Sequence, residues 1–317
     1  MTESGWSRFG YGSWSDLAWV RAQLAAGADP NTLVRGNGRP LHHAAREGSA
    51  EVVAELAALV DDVDAVGDGH TALWLAVQAG RPANARALVA AGADPERPMM
   101  AGWSPARLSL AGATPDLFET SAALTDAEVS AVAEARELID ALAAIDGDGM
   151  SLCCVAGIDA AEAVRRLDAA AVQESIAAED MWDATDDESM RTLGVTDVPG
   201  GCVVSQPWAY GASMPLVALL LSAGTTCYGM YANPKSGNQG ASVHDGAITG
   251  WDLHPGGGWS AADATATEIL RDFLYQHHAV AYCCAYAGVR PAGARPFTDP
   301  DRWIRLPVRD WWATSAS

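Results

Sequence analysis

The chain has 317 residues, 49% of them apolar, which is enough for one to three domains with sizeable cores. Forty acidic against twenty basic residues leave a net charge of −20. That balance argues against nucleic acid and anionic membrane surfaces, whose binding draws on basic side chains, and leaves a basic partner compatible.

Nineteen of the twenty bases are arginine, and Lys235 is the only lysine. With the heavy use of Ala and Gly, this matches the composition of high-GC bacterial proteins. The N-terminal Met1-Thr2-Glu3-Ser4-Gly5-Trp6 lacks the charged start and apolar run of a secretory signal. The longest apolar run, Pro215 to Leu221, falls short of the roughly 20 residues of a membrane span. These features predict a cytoplasmic protein. The six cysteines are Cys153-Cys154, Cys202, Cys227 and Cys283-Cys284. Adjacent pairs suit neither ordinary disulfides nor C-x-x-C zinc spacing, so they read as buried apolar thiols. No metal and no cofactor is expected.

The first third of the chain is periodic. Leu24-Ala25-Ala26-Gly27-Ala28-Asp29-Pro30 returns as Leu88-Val89-Ala90-Ala91-Gly92-Ala93-Asp94-Pro95. Between these, Pro40-Leu41-His42-His43-Ala44-Ala45-Arg46-Glu47-Gly48 realigns with Ala72-Leu73-Trp74-Leu75-Ala76-Val77-Gln78-Ala79-Gly80. A fixed period in this range predicts stacked helix pairs. In one unit, Leu41, Ala44 and Ala45 stripe a first helix, and Gly48 is expected to end it in the left-handed conformation. Glu51 to Leu59 form the second helix, with Val52, Val53, Leu56 and Leu59 near helical spacing. The next unit repeats this with Leu73, Leu75, Ala76, then Ala85, Leu88 and Val89.

This region resembles the ankyrin repeat. Pro40-Leu41-His42-His43-Ala44-Ala45 carries the T-P-L-H-x-A signature with Arg39 in place of Thr, and Thr71-Ala72-Leu73-Trp74 keeps two of its positions. A partial unit from about Trp14 to Asn31 and a worn one from Gly102 to about Phe118 flank them, as solubility of the stack's ends requires. The resemblance implies a protein-binding surface on the concave face and its projecting turns, with Arg39, His43, Asp68, His70, Trp74 and Trp103 as candidate partner contacts. It implies no catalysis. At the motif position of His42 a histidine usually bonds the backbone of the neighbouring turn, and Trp74 has a packing role as its competing reading.

Thr125-Asp126-Ala127-Glu128 is a capping box. It opens a helix whose Val129, Val132, Leu138, Ile139, Leu142 and Ile145 share a face, long enough to close the stack. Asp146-Gly147-Asp148-Gly149 then breaks it. The expected division is repeats at 1–118, a capping or linker helix at 119–147, and an α+β domain at 148–317.

In that last part, strands are predicted at Ser151 to Val155, Cys202 to Ser205, Thr225 to Tyr231 and Ile248 to Leu253. Asp159 and Met214 open short helices, and Glu179 to Glu188 reads as a solvated acidic segment. Val243-His244-Asp245-Gly246-Ala247 reads as a hairpin, since Asp-Gly supplies positive φ. Ser260 is expected to cap a helix to about Ala287. Together these predict a multidomain chain: an all-α repeat solenoid, then an α+β domain with a small antiparallel sheet covered by helices on one side.

The segment Tyr231-Ala232-Asn233-Pro234-Lys235-Ser236-Gly237-Asn238-Gln239-Gly240 offers Asn233, Lys235, Ser236, Asn238 and Gln239 as a candidate anion-binding loop. It lacks the order of a P-loop, and a polar turn is the simpler reading. Cys227 with His254 is a conceivable nucleophile and base, but thiols inside apolar strands are usually inert, so no catalytic residue is assigned. Cys154-Val155-Ala156-Gly157-Ile158, Ala163-Val164-Arg165-Arg166-Leu167 and Leu221-Ser222-Ala223-Gly224-Thr225 resemble a domain of uncharacterised proteins of high-GC Gram-positive bacteria. That resemblance spans about Met150 to Gly258 and implies no activity. The reading is an intracellular protein-binding module, of inhibitor or immunity type. Its alternative is an enzyme or small-anion binder using residues 231–240.

Overall fold

Helix pairs recur at the predicted spacing. The computed structural model describes residues 5–6, 12–34, 38–145, 147–172, 186–258 and 260–315. They divide into two units: the first takes Met1–Val132 and Gly258–Leu274, the second Ala133–Gly257 and Tyr275–Ser317.

In the first unit, α1 (Leu17–Ala25) is followed by the pairs α2 (Pro40–Glu47) with α3 (Ala50–Ala57), and α4 (Ala72–Gln78) with α5 (Pro82–Ala90), then by the short α6 (Pro105–Ser109). The start of each is written in the sequence. Ser49, Thr71 and Ser104 each accept a hydrogen bond from the backbone N–H three residues on, and Pro sits at the first helical position of α2, α5 and α6, where its missing N–H costs nothing. Leu41, Val52, Val53, Leu56, Leu73, Trp74 and Leu88 are buried in one continuous core.

Polar groups tie repeat to repeat as well. Asn84 Nδ2 donates to the carbonyls of Ala44, Ala45 and Gly48 at 3.0–3.2 Å, satisfying the open end of α2 from the next pair. The N–H of Asp61 is donated to Asn31 Oδ1 at 3.0 Å, and that of Asp94 to Asp64 Oδ2 at 3.0 Å, so the connecting loops form a ladder. Gly48 departs from expectation. It is extended, with φ −91°, and a Cβ there would lie 2.3 Å from the Trp14 carbonyl oxygen. Close backbone approach, not a left-handed turn, requires glycine at that position.

The helix expected from Ser260 to Ala287 is two helices. The first, α11 (Ala266–Leu274), belongs to the repeat unit, and the second, α12 (Ala279–Ala287), to the other. Thr265 and Glu268, not Ser260, make the capping box, with Thr265 N–H donated to Glu268 Oε2 at 2.8 Å. Ser260 Oγ donates to Asp272 Oδ2 at 2.8 Å instead. The break falls at His277, held at φ 66° with its N–H donated to Gly256 O at 2.7 Å. Ile269 and Leu270 enter the repeat core, with Phe273 packed against it. Trp103 Nε1 donates to Ala266 O at 3.0 Å, and Gln78 Nε2 to Gly258 O at 2.6 Å. Part of the segment assigned by sequence to the second domain therefore completes the first.

The predicted capping box at Thr125 and Glu128 is present and opens α7 (Asp126–Leu142). Val132, Leu138 and Leu142 are buried, whereas Val129 is exposed.

The second unit is built on a sheet of eight strands among the described residues, in the order β2-β8-β3-β4-β1-β5-β6-β7. These are β1 (Ser151–Ala156), β2 (Ala170–Ala171), β3 (Thr192–Val198), β4 (Gly201–Gln206), β5 (Thr226–Asn233), β6 (Gly237–His244), β7 (Ala247–Leu253) and β8 (Arg302–Arg305). Every named pair is antiparallel. The sheet is thus not small, and helices cover both faces. On one face Cys153, Val155, Cys202, Val204 and Cys227 pack with Ala160 and Ala163 of α8 (Ala160–Arg166) and with Val217 and Leu221 of α10 (Pro215–Leu221). On the other, Cys154 Sγ lies 3.6 Å from Cys284 Sγ of α12, and Ser205 Oγ donates to Pro296 O at 2.9 Å. Two-sided cover explains why β1 and β4 read as continuous apolar runs rather than alternating ones. Within the acidic segment, residues 179–185 lie outside the described residues. Asp186 caps the short α9 (Asp187–Arg191).

Candidate functional site

The repeat unit presents a groove of about 290 Å³ bordered by Gly38, His43, Arg46, Asp68, His70 and Leu75, with His42 at its base. The turn between α3 and α4 shapes one wall. Gly67 and His70 bridge each other, with Asp68 at φ 51° and Gly69 at φ 80° between them. Two consecutive positive φ angles make the tight turn whose twist suits a hairpin, and it pushes Asp68 into solvent.

His42 is the pin of this arrangement. Arg39 N–H donates to its Nδ1 at 3.2 Å, so the proton is on Nε2, which donates to Ala65 O at 3.0 Å and His70 O at 3.1 Å. The ring is 4% exposed, and burial lowers its pKa below the usual histidine value. It is a neutral structural group that fastens the turn, as expected of its motif position. His70 also has its pKa lowered by burial. Its Nε2 lies 3.2 Å from Met100 Sδ, and its ring stacks on Trp74.

Of the candidate partner contacts, the structure gathers His43, Asp68 and His70 around the groove, and Arg39 does not line it. Arg39 precedes α2 and is partly exposed. His43 is stacked on Trp14 at 5.5 Å and 12°. Trp74 and Trp103 do not join them. Both are fully buried in the repeat core, so in this structure neither presents a ring to a partner. Trp103 lies under the Arg107 guanidinium, 4.2 Å from the ring centroid, and Arg107 Nη2 donates to both carboxylate oxygens of Glu128 at 2.8 Å. Arg46, which sequence reading did not single out, is the added groove residue. Its helical offset of three from His43 was the available signal.

Residues 14–99 match the ankyrin repeat family, in three copies. Ankyrin repeats are generally protein–protein interaction modules. The match ends at residue 99, and the resemblance of residues 150–258 to an uncharacterised domain family has no support. No curated protein matches the chain.

The candidate ligand loop at 231–240 is a hairpin rather than a loop. β5 and β6 pair from Thr226↔His244 to Asn233↔Gly237, so only Pro234, Lys235 and Ser236 make the turn and Asn233, Asn238 and Gln239 are strand residues. Lys235 and Ser236 are exposed at the tip. The Lys235 N–H is donated to Asn233 Oδ1 at 2.9 Å, and Asn238 Nδ2 is donated to Pro255 O at 3.3 Å. The Lys235 backbone N–H and the Asn238 amide are thus already bonded within the protein.

The conceivable pair of Cys227 and His254 is not assembled. Cys227 Sγ donates to Ala218 O at 3.3 Å, and His254 Nδ1 lies 2.7 Å from Asn238 O. All six cysteines are free and buried. Neighbouring thiols and burial push Cys153 and Cys154 up, and burial with neighbouring thiols pushes up Cys202 and Cys283, away from nucleophilic thiolate. Among the described residues no group of three or more His, Cys, Asp or Glu is placed to hold a metal, and no helix is long and apolar enough to cross a membrane.

Proposed function

We propose that the chain is an intracellular protein-binding module whose ankyrin repeats take a partner on the groove between the α2 and α4 turns, acting as an inhibitor of a basic protein. The observation that carries this reading is the groove itself: exposed Asp68 and partly exposed His43 and His70, held around a turn that His42 pins from beneath. A rigid turn with outward polar groups binds without first losing conformational entropy. The charge of −20 favours a basic partner through steered encounter.

The test is affinity capture from host lysate with the full chain, in parallel with the double variant Asp68→Lys and His43→Ala. Asp68 is exposed and His43 is half-buried against Trp14, so a thermal melt of the variant accompanies the capture and must show an intact fold. A protein retained by the native chain and lost, or retained at least about tenfold less, with the variant supports the reading. Equal retention by both, or none by either, removes the groove as the binding surface.

A further inference from the structure

The second unit holds a pocket that the repeat-based reading does not use. It opens on the sheet face that carries Cys227 and Val243, where β5 and β6 run past the hydrophobic core. Its floor is Gly229 and Ala241, which pair directly across the two strands, and Tyr231 and Gln239 form the next pair outward. Tyr210, Trp251 and Trp312 supply the walls, and the space enclosed is about 290 Å³.

Three properties single it out. The first is the rings. Tyr210 meets Tyr231 at 5.9 Å and 79°, and Trp312 at 5.3 Å and 48°. At these angles the rings do not lie flat on one another, so they do not cover each other face to face. By contrast, Trp208 and Trp303 stack at 25° and are buried, which closes their faces. Trp251 and Trp312 are more than half exposed, at 53% and 55%. Leaving such rings in water is unfavourable unless something else covers them.

The second property is the floor. Gly229 lies inside a strand, without a positive φ, and a Cβ there would meet nothing closer than 3.8 Å. Neither backbone geometry nor crowding calls for glycine, although glycine weakens a strand. What glycine preserves at this position is depth.

The third is charge. No charged side chain lines the pocket among the described residues, and the chain as a whole is strongly acidic. Ring faces carry partial negative charge and repel anions. The Ser213 hydroxyl is already donated to Tyr210 O at 2.9 Å. A cation that has no N–H to satisfy fits all three properties.

We infer that this pocket binds a quaternary or fully methylated ammonium group. The cation sits over Gly229 and Ala241, and its methyl groups meet the faces of Tyr210, Tyr231 and Trp312. Attraction comes from the ring quadrupoles in a partly desolvated space. The same chemistry is offered by a free small cation and by a methylated lysine side chain. The assignment is independent of the partner proposed for the ankyrin groove.

The experiment is calorimetric titration of the full chain with choline, with its neutral isostere 3,3-dimethylbutan-1-ol, and with a short peptide bearing trimethyl-lysine. Choline binds saturably, and the neutral isostere binds about three- to thirtyfold more weakly, the range a cation–π contribution gives. Trp312→Ala, at an exposed ring, and Gly229→Val, which fills the floor, each abolish choline binding. The first of these keeps the test valid if the second perturbs the sheet. Peptide binding tighter than choline assigns a protein-borne ligand, and equal or weaker binding assigns a free cation. The inference is overturned by an absence of saturable choline binding, by equal affinity for the isostere, or by choline binding that survives Trp312→Ala.

Discussion

The two units reach stability by different routes. In the repeats, a buried residue meets neighbours in its own helix pair or the next, and the same cap and the same Leu and Ala positions recur one period on. In the sheet, β8, from residues 302–305, pairs with β3, from residues 192–198, and β1 lies between β4 and β5. The first kind of order is local and repetitive, whereas the second depends on meetings between distant segments. A local architecture advertises itself in sequence and tolerates worn terminal copies. A non-local one hides its partners and fails where a single strand is lost.

The sharpest way to break this comparison is to remove one of the largest buried side chains of the local unit. Trp74 is fully buried at the centre of the repeat core. Trp74→Ala should cost about 3–5 kcal/mol, read as a lowered denaturation midpoint. A loss under about 1 kcal/mol would show that the stack collapses around the gap and is less close-packed than its burial implies.

Trp74 also marks how much was legible. Its period-related place predicted a helix and a core stripe, but the tryptophan itself read equally well as an exposed anchor, because motif position says which face a residue is on and not how deep. The strands Ser151–Ala156, Gly201–Gln206 and Ala247–Leu253 were legible as apolar or β-branched runs next to turn signals. Thr192–Val198 was not, since Gly194 and Asp197 interrupt its pattern. Arg302–Arg305 was not, since four residues are too few to show a period. The groove was half legible. His43, Asp68 and His70 were among the contacts the ankyrin resemblance implied, whereas Arg39 does not line the groove, and the aromatic pocket joins Tyr210, Tyr231, Trp251 and Trp312 from four separate segments that nothing in the sequence brings together.

A second substitution sharpens the boundary between the units. Ile269, far along the chain, is 2% exposed and lies in the repeat core. Ile269→Ala should cost about 2–5 kcal/mol, and amide exchange should accelerate in Pro82–Ala90 and Pro105–Ser109. Acceleration confined to the strands would place that helix with the sheet instead.

The smallest expected effect is a pH slope. His42 and His70 have folded pKa values lowered by burial, so on acidification the unfolded chain takes up their protons first. Their neutral forms support folding fully above about pH 6.5, and that support is lost as the pH falls below it. Thermal melts of the full chain at pH 7.5 and 5.5 should show a lower midpoint in acid, and His42→Gln should reduce the difference. An unchanged difference would mean that other groups set the acid response.

The chain's path through the two units also sets a timetable. The repeats are synthesised through Val132, but α11, which carries Ile269, Leu270 and the carbonyl that receives Trp103 Nε1, comes only after the whole of 133–257 has been made. At about 5–20 residues per second, the ribosome leaves the last repeat without that covering for roughly ten seconds. During that interval the newborn chain carries an apolar surface that the finished protein does not show.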